Sequence, residues 1–209
     1  MRVQIGIDES GTGAWAGPFT LCGVLAYEKD LKILKKAGAD DSKKLSAARR
    51  EALLGPLLDV ALAAWCEKVP PEKTFDPGQK ASWRTAAVAC VERLIPLLPP
   101  DIDEIRVVVD GNADERLRRR LKGVSPLIKG VQFRKQADAH IATVGAASII
   151  AKTVRSRCMK ELHKIYPEYG WDKNDGYGTP QHREAVEKHG VTEAHRFIKA
   201  LDGMKKRKD

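Results

Sequence analysis

The chain has 209 residues, the length of one ordinary domain, and its 43% of hydrophobic residues exclude a disordered protein. Its 37 lysines and arginines exceed its 28 aspartates and glutamates by 9, a charge of +9 that favours a polyanionic partner such as nucleic acid. Acidic residues at positions 8 and 9 exclude a secretory signal, and the apolar runs are too short to span a membrane, so we expect a cytoplasmic protein that does not contact membranes.

The chain opens with a predicted hairpin. Alternating apolar residues predict a strand over 3–7, and a second apolar run predicts a strand over 19–27. The two strands are separated by a glycine-rich turn at 11–18 and are expected to pair. A helix is predicted over 46–54, with Ser46 as its N-cap.

The middle of the chain alternates strands and helices. An apolar run predicts a strand over 60–69, and apolar residues at three- and four-residue spacing predict a helix over 79–98. The β-branched run 105–109 predicts a strand inside a sheet, and 124–133 is a weaker strand candidate. A long helix is predicted over 139–162.

The sequence becomes polar and rich in glycine after Tyr166. Two short helices are predicted near 179–189 and 192–201. We therefore expect an α/β fold in which a mixed central sheet is flanked by helices, with a core over 1–165 and a C-terminal helical extension over 166–209.

Four acidic side chains in three segments form the candidate catalytic site. Asp8 and Glu9 end the first strand, and Asp110 ends the strand over 105–109, where α/β sheets bind ligands. Asp138 begins the long helix. Each acid alone is compatible with turn chemistry or helix capping. If they meet, their mutual repulsion favours a site for hard cations such as Mg²⁺.

Basic and hydroxyl residues are expected beside these acids. Lys43 and Lys44 precede a helix N-terminus, so they can approach a phosphate, although a solvated loop is an equal alternative. Ser148 and Lys152 lie four residues apart on the long helix and therefore share a face.

The four cysteines are widely spaced and contain no CxxC pair. In an intracellular protein this spacing is more typical of free buried thiols than of a zinc site or of disulfides.

Taken together, the motifs resemble the ribonuclease HII family. They are GIDESGTG at 6–13 with GP at 17–18, DDSKKLS at 40–46, VVVDGN at 107–112, GAASIIAK at 145–152, HKIYPEYGW at 163–171 and GYGTPQH at 176–182. The resemblance covers nearly the whole chain. It implies a ribonuclease-H-like fold and metal-dependent cutting of the RNA strand in RNA/DNA hybrids, and of DNA duplexes that contain ribonucleotides, by a monomer.

The resemblance also implies residue roles. The four acids would be catalytic and would bind Mg²⁺ or Mn²⁺, with two ions expected. The residues expected to bind substrate are Gly11, Thr12, Gly13, Ser42, Lys43, Lys44, Ser148, Lys152 and Tyr177, of which the three in the glycine segment would contact the ribonucleotide and Tyr177 would stack on the neighbouring sugar.

Three positions depart from the family pattern. Thr12 stands where the family has arginine, which removes a cation from the substrate side and puts strict recognition of a single ribonucleotide in doubt. Ala137 replaces the glycine before the fourth acid, and Ser10 is more typical of the ribonuclease HIII family. The alternatives are therefore a ribonuclease HIII-like enzyme without single-ribonucleotide specificity, a non-catalytic hybrid-binding protein, and a strand-transfer or junction nuclease on the same fold.

Overall fold

A five-stranded mixed sheet forms the centre of the molecule in a computed structural model, which describes residues 1–39, 42–74, 78–196 and 198–204. The strands are β1 (Arg2–Ser10), β2 (Phe19–Tyr27), β3 (Ala63–Val69), β4 (Glu104–Asp110) and β5 (Ile128–Arg134). Their order in the sheet is β3-β2-β1-β4-β5. Strand β1 runs antiparallel to β2 and parallel to β4, so the predicted hairpin and the predicted interior position of β4 are both confirmed.

Helices cover both faces of the sheet. They are α1 (Leu31–Lys36), α2 (Ala47–Val60), α3 (Gly78–Leu94), α4 (Glu115–Val124), α5 (Ala142–Ile165), α6 (Trp171–Asn174) and α7 (Pro180–His189). One apolar cluster joins α3 and α4 to the sheet, and a second joins α2 and α5 to its other face. The predicted mixed sheet flanked by helices is therefore confirmed. Within the described ranges, no helix combines the length and hydropathy needed to cross a membrane.

Helix α2 is longer than predicted. The sequence suggested an end at residue 54, because Gly55 and Pro56 follow, but the helix continues to Val60. Leu53 and Leu57 are buried in the cluster with α5, and this packing holds the helix together across the proline. The predicted N-cap is confirmed, since the hydroxyl of Ser46 accepts a hydrogen bond from a main-chain N–H of the first turn.

The sequence did not predict α4, whose residues are mostly charged. Its signals are a capping aspartate, Asp114, which accepts a hydrogen bond from the N–H of Leu117 at 3.0 Å, and the buried pair Leu117 and Leu121. The short helices α1 and α6 were also not predicted.

The helix predicted over 192–201 is wrong. Among the described residues of this range, only Lys199–Leu201 forms a 3-10 turn. The main chain of this segment pairs with the 11–18 turn instead: Ala16 and His195 form an antiparallel bridge, and the N–H of Arg196 donates to the carbonyl of Trp15 at 2.8 Å. These long-range hydrogen bonds replace those of a helix.

The cysteine prediction is wrong for one pair. Cys22 and Cys66 form a disulfide, while Cys90 is a buried free thiol and Cys158 is a half-buried one. The two bonded cysteines lie directly opposite each other in the register of β2 and β3, with Cα atoms 4.1 Å apart. Spacing along the sequence does not reveal strand register, so the pattern could not show this pair.

Candidate active site

Two strand ends bring two of the predicted acids to one edge of the sheet. In the parallel pair β1 and β4, Ile7 lies opposite Val109. The next residues, Asp8 and Asp110, are therefore neighbours: Asp110 is the last residue of β4, and Asp8 lies in β1, which continues to Ser10 in its pairing with β2. The side chain of Asp8 is 5% exposed, which makes it a buried carboxylate.

Hydrogen bonds fix the orientation of these acids. Asp8 Oδ1 accepts the main-chain N–H of Glu9 at 2.8 Å, and the indole N–H of Trp83 donates to Glu9 Oε2 at 3.2 Å. Asp110 Oδ1 accepts the N–H of Ala137 at 2.7 Å. This last bond ties the end of β4 to the 3-10 turn that carries the fourth acid, Asp138.

The electrostatics are those of crowded carboxylates. Burial is the largest cause that raises the pKa of Asp8, and the charges of Glu9 and Asp110 contribute in the same direction. Against a hydrogen bond with Ser148 that lowers it, the resulting pKa of Asp8 is about 7. Burial also raises the pKa of Glu9 and of Asp110, and each is raised further by a neighbouring carboxylate. Such a cluster is stabilised by positive charge.

Two lysines supply positive charge beside the acids. Lys43 Nζ lies 3.2 Å from Oδ2 of Asp138, which is 2% exposed. Lys152 Nζ donates to Ser148 Oγ at 2.8 Å and also bonds Ser42 Oγ, and the two hydroxyls are 2.7 Å apart. Burial lowers the pKa of Lys152. The structure thus gathers the predicted basic and hydroxyl residues at the carboxylates.

Another predicted substrate residue of this loop is Lys44. Lys44 is exposed on the same 3-10 turn as Lys43. The first two residues of the predicted motif, Asp40 and Asp41, lie outside the described residues.

The donor chemistry fits a hard divalent cation. All four acids offer carboxylate oxygens, the ligands that Mg²⁺ and Mn²⁺ favour, and three of them have raised pKa values that a cation would lower. Across the described ranges, however, no three acidic, histidine or cysteine side chains already surround one point closely enough to hold an ion. The acids therefore match a metal site in kind and location, with the ammonium group of Lys43 at Asp138.

The glycine segment lies next to Tyr177. Gly11 has a φ of +85°, a conformation that favours glycine, and the N–H groups of Trp15 and Ala16 both donate to the carbonyl of Gly176, at 2.8 and 3.1 Å. Tyr177 is 41% exposed, so its ring is available to a ligand. The structure thus brings the predicted glycine segment of 11–13 and the predicted tyrosine to one place, although they come from opposite ends of the chain.

A pair of buried histidines holds the main chain of Tyr177. His182 Nδ1 lies 2.9 Å from the carbonyl oxygen of Tyr177, and its Nε2 accepts the indole N–H of Trp171 at 3.0 Å. His195 Nε2 lies 3.2 Å from His182 Nε2, and its Nδ1 accepts the N–H of Thr192 at 3.0 Å. These contacts require both rings to be neutral, with His195 Nε2–H donating to His182.

We expect the stability of this cluster to fall in acid. Burial, together with the adjacent His182, lowers the pKa of His195 to about 3. Since the folded pKa lies below the unfolded value, the stability contribution of His195 is complete above about pH 6.5 and decreases as the pH falls toward about 3. His195→Gln, which cannot titrate, should reduce the loss of melting temperature between about pH 7 and about pH 5.

The matched control is His140→Gln, which changes an exposed histidine. Its melting temperature should follow that of the wild type at both pH values. Equal pH dependence of the His195 variant and the wild type would contradict the assignment.

The sequence analysis missed several residues around the site. Trp83 donates to Glu9, while Arg155 and Arg196 donate to main-chain carbonyls of the 11–18 turn, those of Pro18 and Thr12. The signal for Arg155 was available, because it lies between Ala151 and Met159 on the apolar face of α5, where a cation needs a specific partner.

Comparisons with known proteins show the family of this chain. The family model described as "Ribonuclease HII" matches residues 5–201. A ribonuclease HII from Helicobacter acinonychis is 36% identical over 199 residues, which cover 95% of this chain and 97% of the relative.

Solved structures are similar throughout the chain. The ribonuclease H2 of Pyrococcus horikoshii superposes with a TM-score of 0.78 at 26% identity, covering 93% of this chain and 92% of that one. The ribonuclease HII of Archaeoglobus fulgidus, solved in complex with PCNA, has a TM-score of 0.77 at 28% identity and covers 99% and 98%. The expected ribonuclease-H-like fold is therefore confirmed.

Proposed function

The chain belongs to the ribonuclease HII family, a family of nucleases, and from this premise we propose that it cuts RNA/DNA hybrids on the 5′ side of ribonucleotides. It acts on the RNA strand of hybrids and on ribonucleotides embedded in duplex DNA, leaving 5′-phosphate and 3′-hydroxyl ends. The observation that carries the proposal is the burial of adjacent carboxylates at one sheet edge, beside lysines.

We assign the metal site to the four acids Asp8, Glu9, Asp110 and Asp138, which are expected to hold two divalent ions, Mg²⁺ or Mn²⁺. Ions bound there supply stabilisation for the attacking and leaving oxygens of a phosphodiester. The protein positions these acids through the hydrogen bonds to Asp8 and Asp110 described above, so the carboxylates need little rearrangement when they meet a cation.

The remaining residues hold the substrate. Lys152, fixed by Ser42 and Ser148, presents its ammonium group beside Asp8, and Lys43 does so beside Asp138. Both are suited to phosphate contacts that are independent of sequence and weaken with salt. We assign the sugar contacts to the glycine segment of 11–13 and to Tyr177. The 2′-hydroxyl of that sugar distinguishes RNA from DNA.

A non-catalytic hybrid-binding protein is less consistent with the site. Buried carboxylates repel phosphates and are costly to ionise, as the raised pKa of Asp8 shows. A protein that only binds a polyanion would be better served by neutral residues there. A strand-transfer or junction nuclease would have no use for elements that contact a 2′-hydroxyl.

The proposal is tested with two labelled duplexes, one containing a single ribonucleotide in DNA and one containing a long RNA tract. Each is incubated with Mg²⁺, with Mn²⁺ or with EDTA. We expect both duplexes to be cut only when metal is present. The products should carry 5′-phosphate and 3′-hydroxyl ends, which a ligase can rejoin. Absence of metal-dependent cutting would overturn the proposal, while cutting of the RNA tract alone would favour the ribonuclease HIII-like alternative and assign the difference to Thr12.

Tyr177→Ala should reduce cleavage of the single-ribonucleotide duplex about 10- to 100-fold, because an orienting contact is lost while the metal site is retained. Affinity for the uncut duplex at low salt should change much less, since phosphate contacts dominate it. The control is Tyr177→Phe, which keeps the aromatic ring. Tyr27→Ala would be unsuitable, because the ring of Tyr27 packs on the core. An equal loss on both duplexes would contradict a role at the sugar.

A further inference from the structure

Two arginines are buried behind the glycine loop, which we define as residues 11–18. Arg155 on α5 and Arg196 in the C-terminal extension are each 2% exposed. Burial, together with the charge of the nearby Arg155, lowers the pKa of Arg196 to about 9. Two adjacent cations in the interior are unfavourable unless their donors have specific partners.

Those partners are main-chain carbonyl groups of the glycine loop. Arg155 binds the carbonyl oxygens of Ala16 at 3.3 Å and Pro18 at 3.1 Å, and Arg196 binds those of Thr12 at 3.1 Å and Gly17 at 2.9 Å. A guanidinium group presents several N–H donors in one rigid plane, so each arginine fixes two carbonyls at a set distance. The pair thereby fixes both ends of the loop.

Arg155 also contacts the tyrosine. Its guanidinium carbon lies 5.3 Å from the centre of the Tyr177 ring, a cation–π distance. On its other side it fills the space that a side chain at residue 11 would need, because a Cβ on Gly11 would lie 1.8 Å from Arg155 Nε. One side chain therefore contacts both Gly11 and the ring of Tyr177.

We propose that Arg155 and Arg196 are positioning residues that set the distance between the glycine loop and Tyr177, and that this distance determines the preference for a single embedded ribonucleotide. The inference rests on the proposed function. It also accounts for a loop that has Thr12 in place of a cation, since Arg155 and Arg196 bring positive charge to the main-chain carbonyls of the loop.

The consequence differs between substrates. A single ribonucleotide offers one 2′-hydroxyl, so the loop must meet it in one register. A long RNA tract offers a 2′-hydroxyl at every position, and a displaced loop still meets one. Loss of positioning should therefore reduce kcat on the single-ribonucleotide duplex much more than kcat on the tract.

The test is Arg196→Lys in the full chain, which keeps the charge but cannot bind two carbonyls with a planar group. We expect kcat on the single-ribonucleotide duplex to fall about 10-fold or more, with less than about a 2-fold change on the RNA tract. Hydrogen exchange at the amides of Trp15, Ala16 and Gly17 should become faster, because the loop is less firmly held. The control is Arg93→Lys, the same exchange at an exposed arginine that lies over the ring of Trp65.

The outcomes separate the two proposals. If the wild type cuts neither duplex, the proposed function fails and this inference fails with it. If the wild type cuts both and Arg196→Lys keeps the wild-type ratio of the two kcat values, only the inference is overturned. An equal loss on both duplexes also overturns it, because a defect that affects both substrates alike does not set the preference between them.

Discussion

Asp8→Asn and Asp110→Asn are each expected to lower kcat by about 1,000-fold or more on any hybrid substrate, because a metal site supplies several kcal/mol of charge stabilisation to the reaction. Asparagine keeps the shape of the side chain but removes its charge. Affinity for the hybrid in EDTA should be unchanged or higher, since a negative charge that faces phosphate is lost. Single-turnover cleavage and fluorescence anisotropy measure the two effects.

Stability should change in the opposite direction to activity. The raised pKa of Asp8, about 7, means that the folded protein buries a charge when this group ionises. Since the folded pKa lies above the unfolded value, ionisation of Asp8 lowers stability as the pH rises through about 7. Asp8→Asn should therefore unfold at a higher temperature than the wild type, and the difference should be larger at about pH 8 than at about pH 5.

The matched control is Asp103→Asn. This carboxylate is 78% exposed and pairs only with the N-terminal ammonium group among the described residues, so its loss should alter neither cleavage nor the pH dependence of unfolding. Retained cleavage in either active-site variant would remove that residue from the metal site. A lower melting temperature for Asp8→Asn at about pH 8 would contradict the electrostatic account.

The acids could be predicted from the sequence because each follows a local signal. A buried strand that ends in a carboxylate places it at the sheet edge, and Asp8 and Asp110 meet there through ordinary parallel pairing of β1 and β4. The long helix carried a clear apolar period, so Ser148 and Lys152 could be placed on one face. Local pattern and tertiary structure agree at these positions.

Other contacts depend on segments far apart in the chain, and local pattern does not report them. Cys22 and Cys66 bond because of strand register, and Arg196 meets Thr12 only when the end of the chain returns to the first loop. The segment near His195 has the composition of a helix but pairs with the loop instead. The positioning of the site therefore depends largely on contacts that the motifs themselves do not contain.

The close approach of β1 to α5 should make the protein's stability sensitive to any side chain added at Gly6. A Cβ on Gly6 would lie 2.3 Å from the carbonyl carbon of Thr143 and 2.4 Å from the nitrogen of Val144. Both are main-chain atoms and cannot rotate away. Gly6→Ala should therefore lower the free energy of unfolding by about 3 kcal/mol or more, as expected when a well-packed contact is overfilled.

The same change should also lower activity, because β1 carries Asp8 and α5 carries Ser148 and Lys152, so moving the two elements apart separates the carboxylates from their partners. Gly130→Ala in β5 is the matched control, since no heavy atom lies within 4 Å of the Cβ it would add. Its unfolding free energy should stay the same or rise by about 0.5 kcal/mol through lower entropy of the unfolded chain. Urea denaturation of both variants measures the difference, and equal midpoints would show that β1 and α5 can separate without cost.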